Sequence, residues 1–417
     1  MIQEIKRYNF EIELLTPAIV SGADPSIAYL PPNTIRGMLR YWTRALIGGV
    51  VGDNKRELKR VEERLWGSTE WGSRILVHLK EHQKNPTSNI LDEIRDRPGR
   101  FTLNNSLKGI KLTPSHLHFS IDSIQYLLGN LAQNPRMGEN PKRNQVFMPG
   151  SKWDLTLIFL PPITPKETEI VLWALWFACR LDGIGARKKK GFGSFYLRDK
   201  SSHENNVPFS AYIASSGRYE VALVEKISEA VETVGTIINT NRVGKITSYP
   251  SFGNDSLTIK VVPLKTSEWK VAIGKLGKAY FFARRTRLNE GNDGKTAEWS
   301  YIYPLLRTGR AGGGSNLVNN HLFGLPIPYQ SPNVPSTGQL KPRNYSRRDS
   351  IVNLTIVRLN QKGKREFCLV MTYLGEEFLP RTNNEIVLDV NNRGFNFRPQ
   401  GDVIRLMERI NEELQQT

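Results

Sequence analysis

Gly183-Ile-Gly-Ala-Arg-Lys-Lys-Lys-Gly-Phe-Gly193-Ser-Phe195 divides an apolar, helix-like run from a strand-like one. Two glycines open the stretch, four consecutive cations fill it, and two more glycines close it around Phe192. A helix does not continue through it, because glycine raises the entropy cost of every turn. A buried strand does not carry Arg187, Lys188, Lys189 and Lys190 in a row. The reading is a flexible, exposed, cationic loop. Phe195 is expected in the core, and Phe192 is left between an anchoring and a base-stacking role. Glycine N–H groups approach an anion closely and the cations supply its counter-charge. That suits a polyanion backbone better than a small metabolite.

Outward from the loop, Thr164–Leu181 reads as a strongly apolar helix, and Phe195-Tyr-Leu197 resumes a strand. Phe10-Glu-Ile-Glu-Leu14 alternates as a half-buried strand does, and Thr16-Pro17 and Ser21–Pro25 end it. After Pro31-Pro32 a helix is expected, with Asn33 or Thr34 as its cap. Ile35, Met38, Leu39, Trp42 and Leu46 mark its apolar face. Arg36, Arg40 and Arg44 fall at i, i+4, i+8 and form one basic stripe. Lys55–Trp66 reads as a second helix ended by Gly67. Arg74–Leu79, His116–Ile121 and Trp153–Leu160 read as strands, and the polar stretch Glu81–Lys108 interrupts them.

Lys200–Asn206 is a composition break of linker type. Beyond it, Ser256–Pro263, Ile351–Leu359 and Phe367–Tyr373 read as strands. Trp269–Arg287 reads as a helix ending in Arg284-Arg285-Thr-Arg287. Gly401–Gln415 is an amphipathic helix with Val403, Leu406, Met407, Ile410 and Leu414 on one face. Phe323-Gly-Leu-Pro326 echoes Leu65-Trp-Gly-Ser68, and Phe378-Leu-Pro380 echoes Phe159-Leu-Pro161. Each half therefore reads strand, helix, strands, helix, the split βαβ order of a ferredoxin-like unit. The expected fold class is α+β, with two tandem ferredoxin-like (βαββαβ) domains carrying insertions.

Among 417 residues, 58 Lys and Arg oppose 40 Asp and Glu, a formal charge of +18. Such a field attracts phosphate polymers, the plain alternative being a generally basic, solvated surface. Cys179 and Cys368 sit inside apolar runs, so buried free thiols are expected and a disulfide framework is not. No run approaches the roughly 18 apolar residues of a membrane span, and the N-terminus lacks an apolar h-region. A cytoplasmic location without membrane contact is expected. Gly294-Lys-Thr296 ends like a Walker loop, but Asn289 stands where its first glycine is needed. Gly183-x-Gly185 follows a helix rather than opening one, so the dinucleotide reading fails. The pairs His78/His82 and His116/His118 lack a CxxC or a carboxylate set, so no metal is expected.

Thr16-Pro17, Ser21-Gly-Ala-Asp24, Leu30-Pro-Pro, Ile35-Arg-Gly-Met-Leu-Arg40-Tyr-Trp and Arg44 together resemble the opening of one CRISPR family. It is the family of first subunits of type III-B (Cmr) RNA-guided effector complexes. The glycine-rich loop resembles that of the RAMP superfamily, to which this family belongs. Leu65-Trp-Gly-Ser68, Phe323-Gly-Leu-Pro326 and Arg347-Arg-Asp-Ser350 fit the same family. The resemblance implies two ferredoxin-like RAMP domains, 1–200 with the loop 183–195 and 207–417. It implies no cofactor, no small-molecule substrate, and a role in antiviral defence. Guide (CRISPR) RNA, target RNA and other Cmr-complex subunits are the implied partners. The loop departs from the family in using lysines where arginines are common, which favours loose phosphate contact over bidentate recognition. Glu81–Lys108 and Gly291–Gln339 are insertions without an assigned task.

The candidate RNA contacts are Arg36, Arg40, Arg44, Gly185, Arg187, Lys188, Lys189, Lys190 and Gly191. The second half adds Arg284, Arg285, Arg287, Arg347 and Arg348. Arg44 has an intramolecular ion pair as its alternative, and the stripe as a whole a solvated helix face. Arg307–Ser315 is read as a loop that orders on RNA. Lys341–Arg348, with Tyr345, reads as a single-strand contact or an exposed linker. Cleavage needs a general base near the 2′-OH and a general acid near the leaving oxygen. RAMP nucleases that process guides often carry a histidine after the first strand, and Leu15–Arg36 contains none. Target-cutting RAMP subunits use an aspartate in a comparable loop, where Asp24 stands, although Asp24 before Pro25 also reads as a turn cap. The expectation is a non-catalytic RNA-binding subunit. The alternatives are a metal-dependent RAMP endoribonuclease using Asp24 and a protein-only scaffold.

Overall fold

The alternation at Phe10–Leu14 extends into a nine-residue strand, β1 (Lys6–Leu14), which buries Tyr8, Phe10, Ile12 and Leu14 on one side. With it pair β2 (Ile75–Gln83), β3 (Lys152–Phe159) and β4 (Phe195–Asp199), all antiparallel, in the sheet order β2-β3-β1-β4. Ile12 lies between Trp153 and Leu197 in the register. Helix α1 (Pro32–Val51) follows the first strand, and a later helix follows the third. This is the split βαβ order read from the sequence.

The computed structural model describes residues 4–24, 26–87, 100–102, 120–128, 145–201, 207, 216–238, 249–253, 255, 257–285, 302, 305–308, 317–318, 322, 324–325, 327–329, 336–343, 348–361, 364–375, 386–390, 393–399 and 402–416. Arg287, Tyr345, Arg347, His116, His118, Asn289, Gly294–Thr296, the segment 309–315 and Phe378-Leu-Pro380 lie outside them.

The cap of α1 differs from expectation. Pro31 is the N-cap without a side-chain bond, and Pro32 opens the helix, its fixed φ already helical. Helix α2 (Lys55–Trp66) is capped by Asn54, which accepts from the Glu57 N–H, and ends at Gly67 with φ +80°. Helix α3 (Pro165–Leu181) has a full capping box, Thr164 with Glu167. Helices α1 and α3 pack on each other. Phe252 stacks on Trp42 of α1 at a centroid distance of 5.6 Å and meets Phe177 of α3 in a tilted contact at 4.7 Å. Each such aromatic pair contributes about 1 kcal/mol beyond its buried area.

A 23-residue helix, α4 (Ser216–Ile238), is not among the elements expected from the sequence. Its four valines, three isoleucines and two threonines are weak helix formers. Packing overrides that propensity. Tyr219, Leu223, Ile227, Ala230, Val231 and Val234 are buried in the same core as α1 and α3. Strand β5 (Thr258–Pro263) follows, then helix α5 (Trp269–Arg285). Later come β6 (Ile327–Tyr329), β7 (Gly338–Pro342), β8 (Val352–Gln361), β9 (Lys364–Tyr373), β10 (Ile386–Val390), β11 (Arg393–Pro399) and helix α6 (Val403–Gln415). One sheet has the order β8-β9-β5. Another runs from the short strand Leu317–Val318 through β11, β10 and β7 to β6. In α6, Leu406, Met407, Ile410 and Leu414 are buried, as their helical spacing implies.

The chain forms two compact units. One comprises Met1–Arg97, Leu128–Ile273 and Asn353–Glu376. The other comprises Pro98–Leu127, Gly274–Val352 and Glu377–Thr417. In the first, the core around α1 and α3 also takes in Val357, Leu359, Cys368, Val370 and Leu374. Cys179 and Cys368 are both buried and unbridged. Among the described residues no helix is long and apolar enough to cross a membrane.

Candidate nucleic-acid interface

The glycine-rich loop is tied down rather than loose, which corrects the sequence reading. Ala186 N donates to Ile19 O at 2.8 Å, and Gly193 N donates to Pro17 O at 2.8 Å. Thr16 Oγ1 donates to Gly191 O at 2.8 Å and accepts from Ser194 N at 2.9 Å. The glycines permit this closeness. A Cβ on Gly185 would stand 2.4 Å from Ile19 O, and one on Gly193 would stand 1.9 Å from Ile184 O. Both also have positive φ, +88° and +66°. Phe192 and Phe195 are fully buried, so Phe192 is an anchor and not a stacking platform.

Within that frame the three lysines form a single 3-10 turn, Lys188–Lys190, between left-handed residues Arg187 and Gly191. The four cations are half-buried rather than exposed. Lys188 turns inward. Its Nζ lies 2.7 Å from Oδ2 of Asp182 and 5.9 Å from the centre of the Tyr41 ring. Asp182 is buried and also accepts from Trp42 Nε1 at 3.2 Å. Arg187 Nε donates to Leu128 O at 3.1 Å. Lys188 is thus the counter-ion of a buried carboxylate.

The arginine stripe on α1 faces α2. Arg36 Nη2 donates to Trp66 O at 2.8 Å. Arg40 Nη2 lies 2.6 Å from Glu62 Oε1, and Arg44 Nε lies 3.4 Å from Glu62 Oε2. The ion pair considered for Arg44 is present, and Arg40 shares it. The two guanidiniums remain 41% and 51% exposed against 11% for Glu62, so their outer sides meet solvent. One carboxylate against two cations leaves this patch net positive. Glu62 and Asp182 are the partners the sequence reading missed.

Asp24 holds a turn. Its Oδ1 accepts from Ser26 N at 2.8 Å and from Ser26 Oγ at 2.6 Å. Arg284 and Arg285 lie in the last turn of α5, and Arg348 lies in the short strand Arg348–Asp349. Lys341 is not part of an exposed linker. It sits in β7 and pairs with Asp389 on β10 at 2.7 Å. Arg307 is exposed on a short helical turn.

The outward face of the first sheet carries a polar cluster. Lys200 Nζ is 2.8 Å from Glu11 Oε2 and 3.2 Å from Asp154 Oδ1, and His82 Nδ1 is 3.6 Å from Asp154 Oδ2. The hydrogen bond from Lys200 holds the Glu11 carboxyl below its ordinary value, and that carboxylate raises Lys200 in return. Glu11, His82 and Asp154 form the cluster among the described residues with metal-like spacing. The Lys200 ammonium fills the role a cation would take there.

Residues 11–196 match the model of the RAMP superfamily. That span takes in β2 and β3, parts of β1 and β4, helices α1, α2 and α3, and the glycine-rich loop. Over this span the chain is similar to the RAMP superfamily. It is also similar to Cmr subunits of Pyrococcus furiosus. It is 26% identical over 189 residues to Cmr subunit Cmr1-2, covering 45% of this chain and 94% of that protein. It is 25% identical over 200 residues to Cmr subunit Cmr1-1, covering 46% of this chain and 48% of that protein. The crystal structure of apo Cmr1 from the same organism superposes with a TM-score of 0.55 at 17% identity, over 90% of both chains, a likeness of fold.

Proposed function

We propose that this chain is a non-catalytic RNA-binding subunit of a type III-B CRISPR effector complex. It contacts the backbone of guide and target RNA and docks with other Cmr-complex subunits in the cytoplasm. The observation that carries the reading is a rigid cationic turn, Arg187–Lys190, on the segment that matches the RAMP superfamily. The solvent-facing sides of Arg40 and Arg44 and the formal charge of +18 support it. The likeness to Cmr subunits supplies the complex. Two tandem ferredoxin-like domains, 1–200 and 207–417, complete the proposal. The order β8-β9-β5 supports the second, because it is the order of the second, third and first strands of such a unit. Arg284, Arg285, Arg287, Arg347 and Arg348 are its proposed RNA contacts, with no cofactor and no small-molecule substrate.

The test is titration of the full chain against a labelled single-stranded RNA over a range of salt. Affinity should fall with a slope of about −0.7 in log–log form for each phosphate neutralised, with little dependence on sequence. No binding at low salt would leave the protein-only scaffold. Divalent-dependent cleavage lost in Asp24→Ala would establish the nuclease instead.

A further inference from the structure

Large apolar side chains exposed to water are few among the described residues, and three of them lie around the candidate interface. Ile27 and Tyr29 are 48% and 50% exposed, and Trp71 is 55% exposed. The first two precede α1, and the segment alternates. Ala28 and Leu30 are buried, so Ile27 and Tyr29 share the outward side. This segment is fixed. Tyr29 N donates to Val20 O at 3.3 Å, and Ala28 N donates to Gln145 Oε1 at 3.2 Å. The Tyr29 ring lies so close over Gly22 that a Cβ there would stand 2.9 Å from Cδ1. Ile19, next to Val20, bridges to Ala186 of the glycine-rich loop.

Trp71 lies in the turn that follows α2. Ser68 N donates to Trp71 O at 2.9 Å, Glu70 N donates to Ser68 Oγ at 3.0 Å, and Gly67 makes the turn with φ +80°. The turn begins beside Trp66, whose carbonyl holds Arg36. Both aromatics therefore stand on short, hydrogen-bonded segments adjoining the Arg36 end of α1. The Tyr29 ring, held against Gly22 and half exposed, and Trp71, on a hydrogen-bonded turn, lose less entropy when a flat partner covers them than rings on a loose segment would.

We infer that Tyr29 and Trp71 are base-stacking platforms, which take unpaired nucleobases while the neighbouring cations hold the phosphates. The inference rests on the RNA-binding reading and deepens it. Stacking is sequence-tolerant because every base has a π-face, and it adds affinity without neutralising phosphate.

The experiment compares the full chain with Trp71→Leu, Trp71→Phe, Tyr29→Leu and Lys189→Ala/Lys190→Ala. Two RNA probes are used, a single-stranded oligonucleotide and its abasic counterpart of equal charge. For the base-containing RNA, each Leu variant should weaken binding roughly 5- to 150-fold, from ~1–3 kcal/mol per stacked base, with an unchanged salt slope. On abasic RNA the Leu variants should match the parent, and Trp71→Phe should retain most of the parent's affinity for bases. The lysine variant should flatten the slope on both probes. RNA should quench the parent's tryptophan emission more than that of Trp71→Leu. Equal weakening on both probes, or parental affinity in the Leu variants, overturns the inference while leaving RNA binding intact. Absence of RNA binding by the parent overturns both.

Discussion

Lys188 donates to the buried carboxylate of Asp182 at 2.7 Å, although the sequence reading makes Lys188 an RNA contact in an exposed loop. The pair fixes the 3-10 turn to the end of α3. Lys188→Ala leaves Asp182 with only Trp42 Nε1 as donor. The expected cost is about 1–3 kcal/mol in urea denaturation, the range for leaving a buried polar group short of a partner, because Lys188 is itself 33% exposed and water partly replaces it. Asp182→Asn in the Lys188→Ala background should recover part of the loss. A Lys188→Ala variant as stable as the parent would show that the pair with Asp182 carries no net stability.

The glycines supply a second contrast. Gly193→Ala forces a Cβ to 1.9 Å from Ile184 O at a φ of +66°. Backbone strain alone costs about 1–3 kcal/mol, and the clash adds to it. Gly37 lies in α1 with nothing within 4 Å of its would-be Cβ. Gly37→Ala should therefore stabilise the chain by about 0.5–1 kcal/mol through helix propensity. Thermal melts of the two variants should move in opposite directions.

Local rules made much of the first unit legible. Alternation marked β1, Gly67 marked the end of α2, and Thr164 marked the start of α3. The misses share one cause, that tertiary context decided them. Helix α4 is rich in β-branched residues and forms because its apolar face is buried. The glycines of 183–193 read as freedom but serve close backbone packing against 16–19. Glu62 lies 22 residues from Arg40, beyond any spacing that a single-helix pattern reports. Lys341 read as part of a single-strand contact or an exposed linker, but it faces Asp389, which the β7–β10 pairing brings opposite.

Glu62 leads to a prediction about affinity. Its carboxylate offsets the charge of Arg40 and Arg44. Glu62→Gln removes that offset and frees both guanidiniums for phosphate. On the RNA-binding reading, affinity at low salt should rise a few-fold. The salt slope should steepen by about 0.7 for each additional phosphate neutralised. Stability should fall only slightly, since both arginines are well solvated. Fluorescence anisotropy checks the first outcome and thermal melting the second. Unchanged or weaker binding would place the RNA elsewhere than the α1 stripe.

The Glu11–Lys200 pair predicts the acid limb of stability. The Lys200 hydrogen bond holds the folded Glu11 pKa below the ordinary glutamate value of 4.5. The unfolded chain therefore binds the proton more readily than the folded one. The pair's contribution is fully present above about pH 4.5 and is lost as pH falls through the lower, folded value. Glu11→Gln should be less stable than the parent near neutral pH, and the gap should close as the solution is acidified below that point. Urea midpoints measured from about pH 7 down to about pH 3 test this. Lys200→Met should reproduce the pattern, because it removes the same donor, while also leaving Asp154 without that cation at 3.2 Å. A gap that stays constant across the whole range would mean that the carboxylate titrates alike in both states. The contact with Lys200 would then not bind Glu11 in solution.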